Sequence, residues 1–208
     1  MLTFIEKDYK DQPFKIAFSG GVDSLVLAHF HRRNPNAILC HFNHGCQYSN
    51  DIEEQCWERA ESLKMKMVVG HITAEKKAKQ SLEDFWRRQR YRWLYSVKDA
   101  NTVITAHHLN DAIESWCMSA FHGKPQLIQP IQYNAEYEQH LVRPLLLTSK
   151  ADIIRYAETH NLSPVDDPYN REDHLMRNYF RKHTLEHVLY HNPGIDKVIR
   201  KKYLNAEY

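Results

Sequence analysis

Four short apolar runs, at residues 15–18, 37–42, 65–70 and 102–106, recur along the first half of the chain, and a helical pattern follows each, at 24–33, 51–63, 81–97 and 110–121. Strands separated by helices of this length cannot close tight hairpins. They cross over and pair in parallel, which buries both faces of the sheet under helices. The expected fold is therefore α/β, a parallel sheet with helices on both faces, and any ligand site should lie beyond the carboxyl ends of the strands. With 208 residues and 42% hydrophobic content the chain can bury a complete core. It reads as one domain over 1–192 and a tail over 193–208 with room for a helix.

After Phe121 the pattern loosens. Residues 123–139 read as a loop or hairpin and 141–147 as a final strand; Ser149-Lys150-Ala151-Asp152 is a capping box that opens a helix to about His160. Pro164 and Pro168 hold an extended segment, and 177–190 returns to helix. No stretch approaches the ~20 apolar residues of a membrane span, and residues 1–14 are too charged for a signal peptide. No membrane partner and a cytoplasmic location are expected. Cys40, Cys46, Cys56 and Cys117 contain no Cys-x-x-Cys pair, so the spacing suggests neither a zinc ribbon nor an iron–sulfur site. The fourteen histidines are scattered and read mostly as surface or capping residues.

The first strand runs into Ser19-Gly20-Gly21-Val22-Asp23-Ser24 and then a helix. Such a junction points free backbone N–H groups and the positive end of a helix dipole at one place, where an anion belongs. The two glycines let a ligand approach the backbone. The hydroxyls of Ser19 and Ser24 can donate to phosphate oxygens, and Asp23 can hold magnesium. A diphosphate fits best. The loop is shorter than the Gly-x-x-x-x-Gly-Lys-Ser/Thr loop of kinases and lacks its lysine. It resembles instead the SGGxDS loop of the ATP pyrophosphatase (PP-loop) superfamily, whose members cleave ATP between the α and β phosphates, adenylate a substrate oxygen and release pyrophosphate.

Three further groupings carry chemistry. The histidine pair His107-His108 ends a strand, and Asp111 and Glu114 follow three residues apart on one helical face, where they can share a cation or simply complement the helix dipole. Arg177 and Arg181 are four apart, a clamp for phosphate or developing negative charge. Arg87, Arg88, Arg90 and Arg92 crowd one helix with Tyr91 among them, a face able to track an RNA backbone while Tyr91 stacks or packs.

In order, these pieces resemble the N-terminal catalytic domain of the tRNA(Ile)-lysidine synthetase family. The matching residues are the loop at 19–24, His41-Phe42-Asn43-His44-Gly45, Ser81 with Glu83, Arg87 and Arg90-Tyr91, His107-His108 with Asp111, Glu114 and Ser115, Arg143-Pro144-Leu145-Leu146, and Asp167, Asn170, Arg177, Asn178 and Arg181. The resemblance implies the adenine nucleotide α-hydrolase-like (PP-loop ATPase) fold over 1–192 and a ligase that uses ATP and Mg²⁺. It would adenylate the wobble cytidine of an isoleucine tRNA with a CAU-type anticodon and join L-lysine to it. By the same resemblance Asp23, Asp111, Glu114, Arg177 and Arg181 are catalytic, with Asp23 on the metal. The loop residues Ser19 to Ser24, with His44 and His107, bind ATP. Arg87, Arg90, Tyr91, Asn178 and the Asp111/Glu114 pair bind the substrates, the pair taking the lysine ammonium.

Asn43, Asn110 and Ala112 depart from the family's usual Asp, Asp and Gln, and His122-Gly123 replaces Arg-Gly. The extra C-terminal domains common in the family are not in this sequence, and a homodimer is one way to enlarge the RNA-binding surface. Rival readings are a tRNA thiolase of the same superfamily, an amide-forming synthetase of the NAD or GMP type, and a non-catalytic RNA- or nucleotide-binding relative.

Overall fold

The computed structural model describes residues 1–5, 8–76, 80–168 and 179–205. Six strands, β1 (Phe14–Ala17), β2 (Ala37–Asn43), β3 (Met67–His71), β4 (Thr102–Ile104), β5 (Ile131–Asn134) and β6 (Gln139–Val142), form one sheet in the order β3-β2-β1-β4-β6-β5. The first five in that order run parallel, and β5 is antiparallel to β6 at the edge. Helices α1 (Val22–His31), α2 (Ser49–Ser62), α3 (Leu82–Ser96) and α4 (Leu109–Phe121) lie between successive strands, and α5 (Lys150–Thr159) follows β6. A π-helical turn, Arg181–Leu185, leads into α6 (Glu186–His191), and α7 (Ile195–Leu204) follows. No helix among the described residues is long and apolar enough to cross a membrane.

Strand alternation gives each face of the sheet its own core. Ile16, Leu39, Met67, Ile104 and Val142 stand in register across five strands and join one cluster with α1, α2 and α5. The rows on either side of it, Ala17, Cys40 and Val68 on one and Lys15, Val103 and Leu141 on the other, point the other way, and their apolar members pack under α3 with Leu94 and Tyr95. On that second face Lys15 is fully buried. Its Nζ donates to Leu94 O (2.9 Å), Val97 O (2.7 Å) and Gln139 Oε1 (2.8 Å), so a strand lysine satisfies the carbonyl end of α3. Burial lowers its pKa to about 8.

The expected strand 141–147 is corrected: β6 ends at Val142. Pro144 has no N–H to continue a ladder, and residues 144–147 turn instead, sinking Leu145 and Leu146 fully into the core. Of the loop or hairpin expected over 123–139, β5 lies inside that range, and it pairs with β6, which begins at the end of it. The expected helix 177–190 is described from residue 179 onward and contains the π turn. Past Pro193, α7 buries Ile195, Ile199 and Tyr203 at a helical spacing against Leu109, Ile113 and Cys117 of α4. The surface reading of the histidines fails for His29, His31, His41 and His108, which are buried. Burial lowers the first two to a pKa of about 4.

Because β1 lies between β2 and β4, the sheet has its topological switch there, and the crevice beyond the ends of β1 and β4 is the natural ligand site. The loop at 19–24 follows β1 and the histidine pair follows β4.

Candidate active site

The loop is shaped by backbone packing. Gly20 takes φ +79°, and a Cβ there would lie 2.7 Å from both Cys56 Sγ and Val165 Cγ2, so only glycine fits. Val165 N–H donates to Gly20 O (3.0 Å), which ties the loop to the extended segment around Pro164. Gly21 differs: a Cβ there would make only an ordinary contact with Ser19 Oγ at 3.5 Å. Gly21 is the N-cap of α1, and no side chain caps this helix. Ser24 Oγ donates to Gly21 O (3.0 Å), accepts from Ser19 N–H (3.2 Å) and lies 3.1 Å from Ser19 Oγ. The result is a rigid turn that offers its first helical amides, Val22 and Asp23 among them, to an anion.

Across the crevice, α4 begins after His108. His108 N–H donates to Asp111 Oδ2 (2.9 Å), which caps the helix start. Glu114, one turn on, is 2% exposed. Arg181 reaches both acids from the π turn: Nε donates to Glu114 Oε2 (3.0 Å) and Nη2 to Asp111 Oδ1 (3.0 Å). The carboxylate pair expected to share a cation does so, and the cation is the chain's own guanidinium. Burial raises the Asp111 pKa, but the His108 and His107 rings, the His108 amide and Arg181 outweigh it and hold the carboxyl below its usual range. Arg181 responds in kind. Burial alone lowers its pKa, yet Glu114 and Asp111 raise it above the ordinary guanidinium value.

The two sides are joined by charge. Lys150 Nζ lies 2.6 Å from Asp23 Oδ1, and His108 Nε2 stands 3.6 Å from that oxygen and 3.4 Å from Asp111 Oδ2. Lys150 N–H donates to Asn110 Oδ1 (2.9 Å), which is what Asn110, one of the departures, does here. The donor set suits magnesium. Among the described residues no three His, Cys, Asp or Glu gather to hold a metal unaided, and magnesium ordinarily takes one or two carboxylates and completes its shell with phosphate oxygens and water. Asp23, 32% exposed at the loop, offers one such carboxylate.

A third wall comes from β2 and α3. His44 packs on Phe42 (5.1 Å between ring centroids) and Trp86 (5.4 Å), with its Nδ1 buried and unpaired among the described residues. Burial, with Arg90 and His41 adding to it, lowers its pKa to about 3. His107 donates to or accepts from Thr105 Oγ1 (2.7 Å) through Nδ1; burial lowers its pKa to about 3 although Asp111 opposes the change. Both rings are neutral near pH 7. Tyr91 packs below the guanidiniums of Arg87 (5.1 Å) and Arg90 (5.6 Å), so it is both core and platform. Arg87, Arg88 and Arg92 are exposed, with Arg88 paired to Asp84 (2.9 Å), whereas Arg90 is partly buried beside His44.

Asn43, another departure, is 2% exposed and bonded throughout: Nδ2 donates to Asn50 Oδ1 (3.0 Å) and Glu53 Oε2 (2.7 Å), and Oδ1 accepts from Gly45 N–H (2.8 Å). An aspartate here would set its carboxylate against Glu53, so amide and acid match each other. Arg177, Asn178 and Asn170 lie outside the described residues. The sequence reading passed over Lys150 as a site residue, although a lysine at the first position of a capped helix runs against the helix dipole and was a legible signal.

Comparison with known proteins shows the family and the fold. The chain is 31% identical over 211 residues to a tRNA(Ile)-lysidine synthase of Coxiella burnetii, covering 97% of this chain and 47% of that protein. It is 33% identical over 196 residues to one of Hydrogenovibrio crunogenus, covering 88% and 46%. The chain thus spans about half the length of the curated relatives it matches. Among solved structures, the U34-tRNA thiolase NcsA from Methanococcus maripaludis with its [4Fe-4S] cluster superposes with a TM-score of 0.71 at 18% identity, over 94% of this chain and 74% of that one. The NH3-dependent NAD synthetase from Campylobacter jejuni gives 0.55 at 16%, over 94% and 79%. At these identities the two structures share the fold. The PP-loop domain family matches residues 1–188, so the glycine loop, the five-strand parallel core and the crevice between them are those of a PP-loop domain, the family to which this chain belongs.

Proposed function

We propose that this chain is the catalytic part of a tRNA(Ile)-lysidine synthase, an ATP-consuming ligase that joins L-lysine to the wobble cytidine of an isoleucine tRNA. One observation carries the reading. A phosphate loop and a nearly buried carboxylate pair lie in one crevice, linked through Lys150, Asp23, His108, Asp111 and Arg181. Relatives named as lysidine synthases align along almost the whole chain.

The reaction is consistent with these groups. The C2 carbonyl oxygen of the cytidine attacks the α-phosphorus of ATP and pyrophosphate leaves. The lysine ε-amine, having lost a proton, then attacks C2, and AMP leaves with its oxygen. The loop amides of α1, with Ser19 and Ser24, bind the leaving pyrophosphate, and Asp23 holds magnesium, which neutralises phosphate charge when bound. Asp111 and Glu114 orient the incoming ammonium by exchanging Arg181 for it, and an ionised carboxylate of the pair accepts its proton. The neutral rings of His44 and His107 give the nucleotide hydrogen-bonding edges without added charge. Arg87, Arg90 and Tyr91 contact the RNA.

Sulfur transfer has less support. Cys40 and Cys56 are buried and their thiols pushed up to about 12 by that burial, so they stay protonated. The test is incubation with bulk tRNA, ATP and isotope-labelled lysine, followed by nucleoside mass spectrometry. Labelled lysidine is the expected product; ATP turnover with an unlabelled or sulfur-containing nucleoside would overturn the reading.

A further inference from the structure

Lys150 is the first residue of α5, where a positive charge faces the positive end of the helix dipole. The helix gains nothing from it. Ser149 already caps α5 by accepting from Asp152 N–H (3.1 Å), and Asp152 complements the dipole. The lysine is nonetheless built in from both sides. Its N–H is fixed by Asn110 on α4. The preceding turn is braced by the N-terminal segment, where Thr3 N–H donates to Thr148 Oγ1 (2.9 Å), Thr148 Oγ1 donates to Thr3 O (2.6 Å) and the Met1 ammonium pairs with Asp152 (3.1 Å). α5 packs on α1, which brings its start beside the start of α1, and the Lys150 ammonium ends at Asp23.

The charge there is not balanced for a working site. Asp23 is the carboxylate expected to take a divalent cation, and a cation on it repels an ammonium 2.6 Å away. Lysine has a flexible stem and three donors, so its head can move while its backbone stays fixed. The anion nearest to receive it is the polyphosphate on the α1 amides. We propose that Lys150 is a mobile phosphate ligand of the nucleotide site: its ammonium leaves Asp23 for the polyphosphate oxygens when nucleotide binds. This rests on the reading of the loop as an ATP site.

The experiment is calorimetric titration of the full chain with ATP, inorganic pyrophosphate and adenosine, with magnesium and with EDTA. Lys150→Met should weaken ATP and pyrophosphate binding about tenfold to a hundredfold and leave adenosine unchanged. The loss should be greater in EDTA, where the ammonium works without a metal. Lys150→Arg should recover most of the pyrophosphate affinity. If the unaltered chain binds neither ATP nor pyrophosphate, the reading of the loop itself fails. If it binds both and Lys150→Met matches it, the proposal is overturned while that reading stands. Should Lys150→Met weaken adenosine equally, Lys150→Arg decides: recovered pyrophosphate affinity upholds the ligand role and no recovery overturns it.

Discussion

The phosphate loop and the carboxylate pair face one another across a single crevice, yet they are held by different forces. The loop is fixed by sterics and backbone bonds: Gly20 against Cys56 and Val165, Gly20 O to Val165 N–H, Ser24 folded back on Gly21. The pair is fixed by charge, with Arg181 spanning Asp111 and Glu114. A steric scaffold stays in place whether or not ligand arrives, whereas an ion pair can exchange its cation. The difference predicts a pre-formed phosphate cradle and an amine site that opens by substitution.

The largest effect should come from attacking the loop's sterics. Gly20→Ala must place a Cβ within 2.7 Å of two buried atoms at φ +79°, so overpacking and backbone strain together should cost about 3 to 5 kcal/mol. Gly21→Ala, whose Cβ would meet only Ser19 Oγ at an ordinary 3.5 Å, should unfold within about 0.5 kcal/mol of the parent and yet lose pyrophosphate binding. Chemical denaturation and pyrophosphate titration of the two variants check this. Equal destabilisation would mean that the loop is not the rigid member of the comparison.

Helix α1 carries the loop at one end and His29 and His31 near the other, so acid should separate the two sides of the crevice. His31 is 3% exposed and its pKa is lowered to about 4 by burial, with Lys10 adding to the effect. The unfolded chain therefore binds a proton near pH 6.5 that the folded chain refuses until about pH 4. Stability is full above pH 6.5 and falls through that window, by on the order of 3 kcal/mol for this one ring. Asp111 loses stability in the same direction but in a lower window: its depressed pKa adds stability above the unfolded value of 3.8, lost only as pH falls below it. Unfolding free energy between pH 7 and 4 should thus track histidines rather than carboxylates. His31→Phe, placed among Phe4, Tyr9, Phe14 and Phe30, should flatten the curve; an unchanged slope would assign the loss elsewhere.

What the sequence revealed divides along the same line. The loop was legible because two glycines between a strand and a helix leave few conformations, and the order of strands and helices dictated a parallel sheet with its ligand site beyond the strand ends. The Asp111 and Glu114 spacing was legible too. Their partner was only half so, because Arg181 comes from far along the chain and local spacing cannot say which distant cation arrives. Lys150 was missed for a related reason: a capping box explained its neighbours and hid the side chain that pointed elsewhere. The buried histidines were missed because His29 and His31 sit among aromatic rings drawn from four separate segments.

Breaking the ion pair should cost less than breaking the loop. Arg181→Met removes the guanidinium that bonds both acids, and each charged hydrogen bond is worth about 1.5 to 3 kcal/mol where it is buried. Arg181 is 53% exposed, which discounts the loss to about 1 to 2 kcal/mol. Glu114→Gln should couple strongly to it. In a double-mutant cycle the two changes together should cost clearly less than their sum, and additive costs would show that Arg181 does not hold the pair. The lysine requirement should change in both single variants far more than the ATP requirement.

The smallest effect lies on the third wall, which neither loop nor carboxylates control. Arg87 and Arg92 are exposed on α3, while Arg88 is engaged by Asp84 and Arg90 sits beside His44. Replacing Arg87 and Arg92 by glutamine should leave folding and pyrophosphate binding intact. If both touch phosphates, the slope of log affinity for tRNA against log salt should flatten by roughly 0.7 to 0.9 for each contact. Arg90→Gln should behave differently, since it withdraws a partly buried guanidinium from Tyr91 and should lower stability as well as binding. Retention of the parent slope by a well-folded Arg87/Arg92 double variant would move the RNA surface off α3. The proposed cytidine would then have to enter from the side of Arg181, where the exchangeable charges lie.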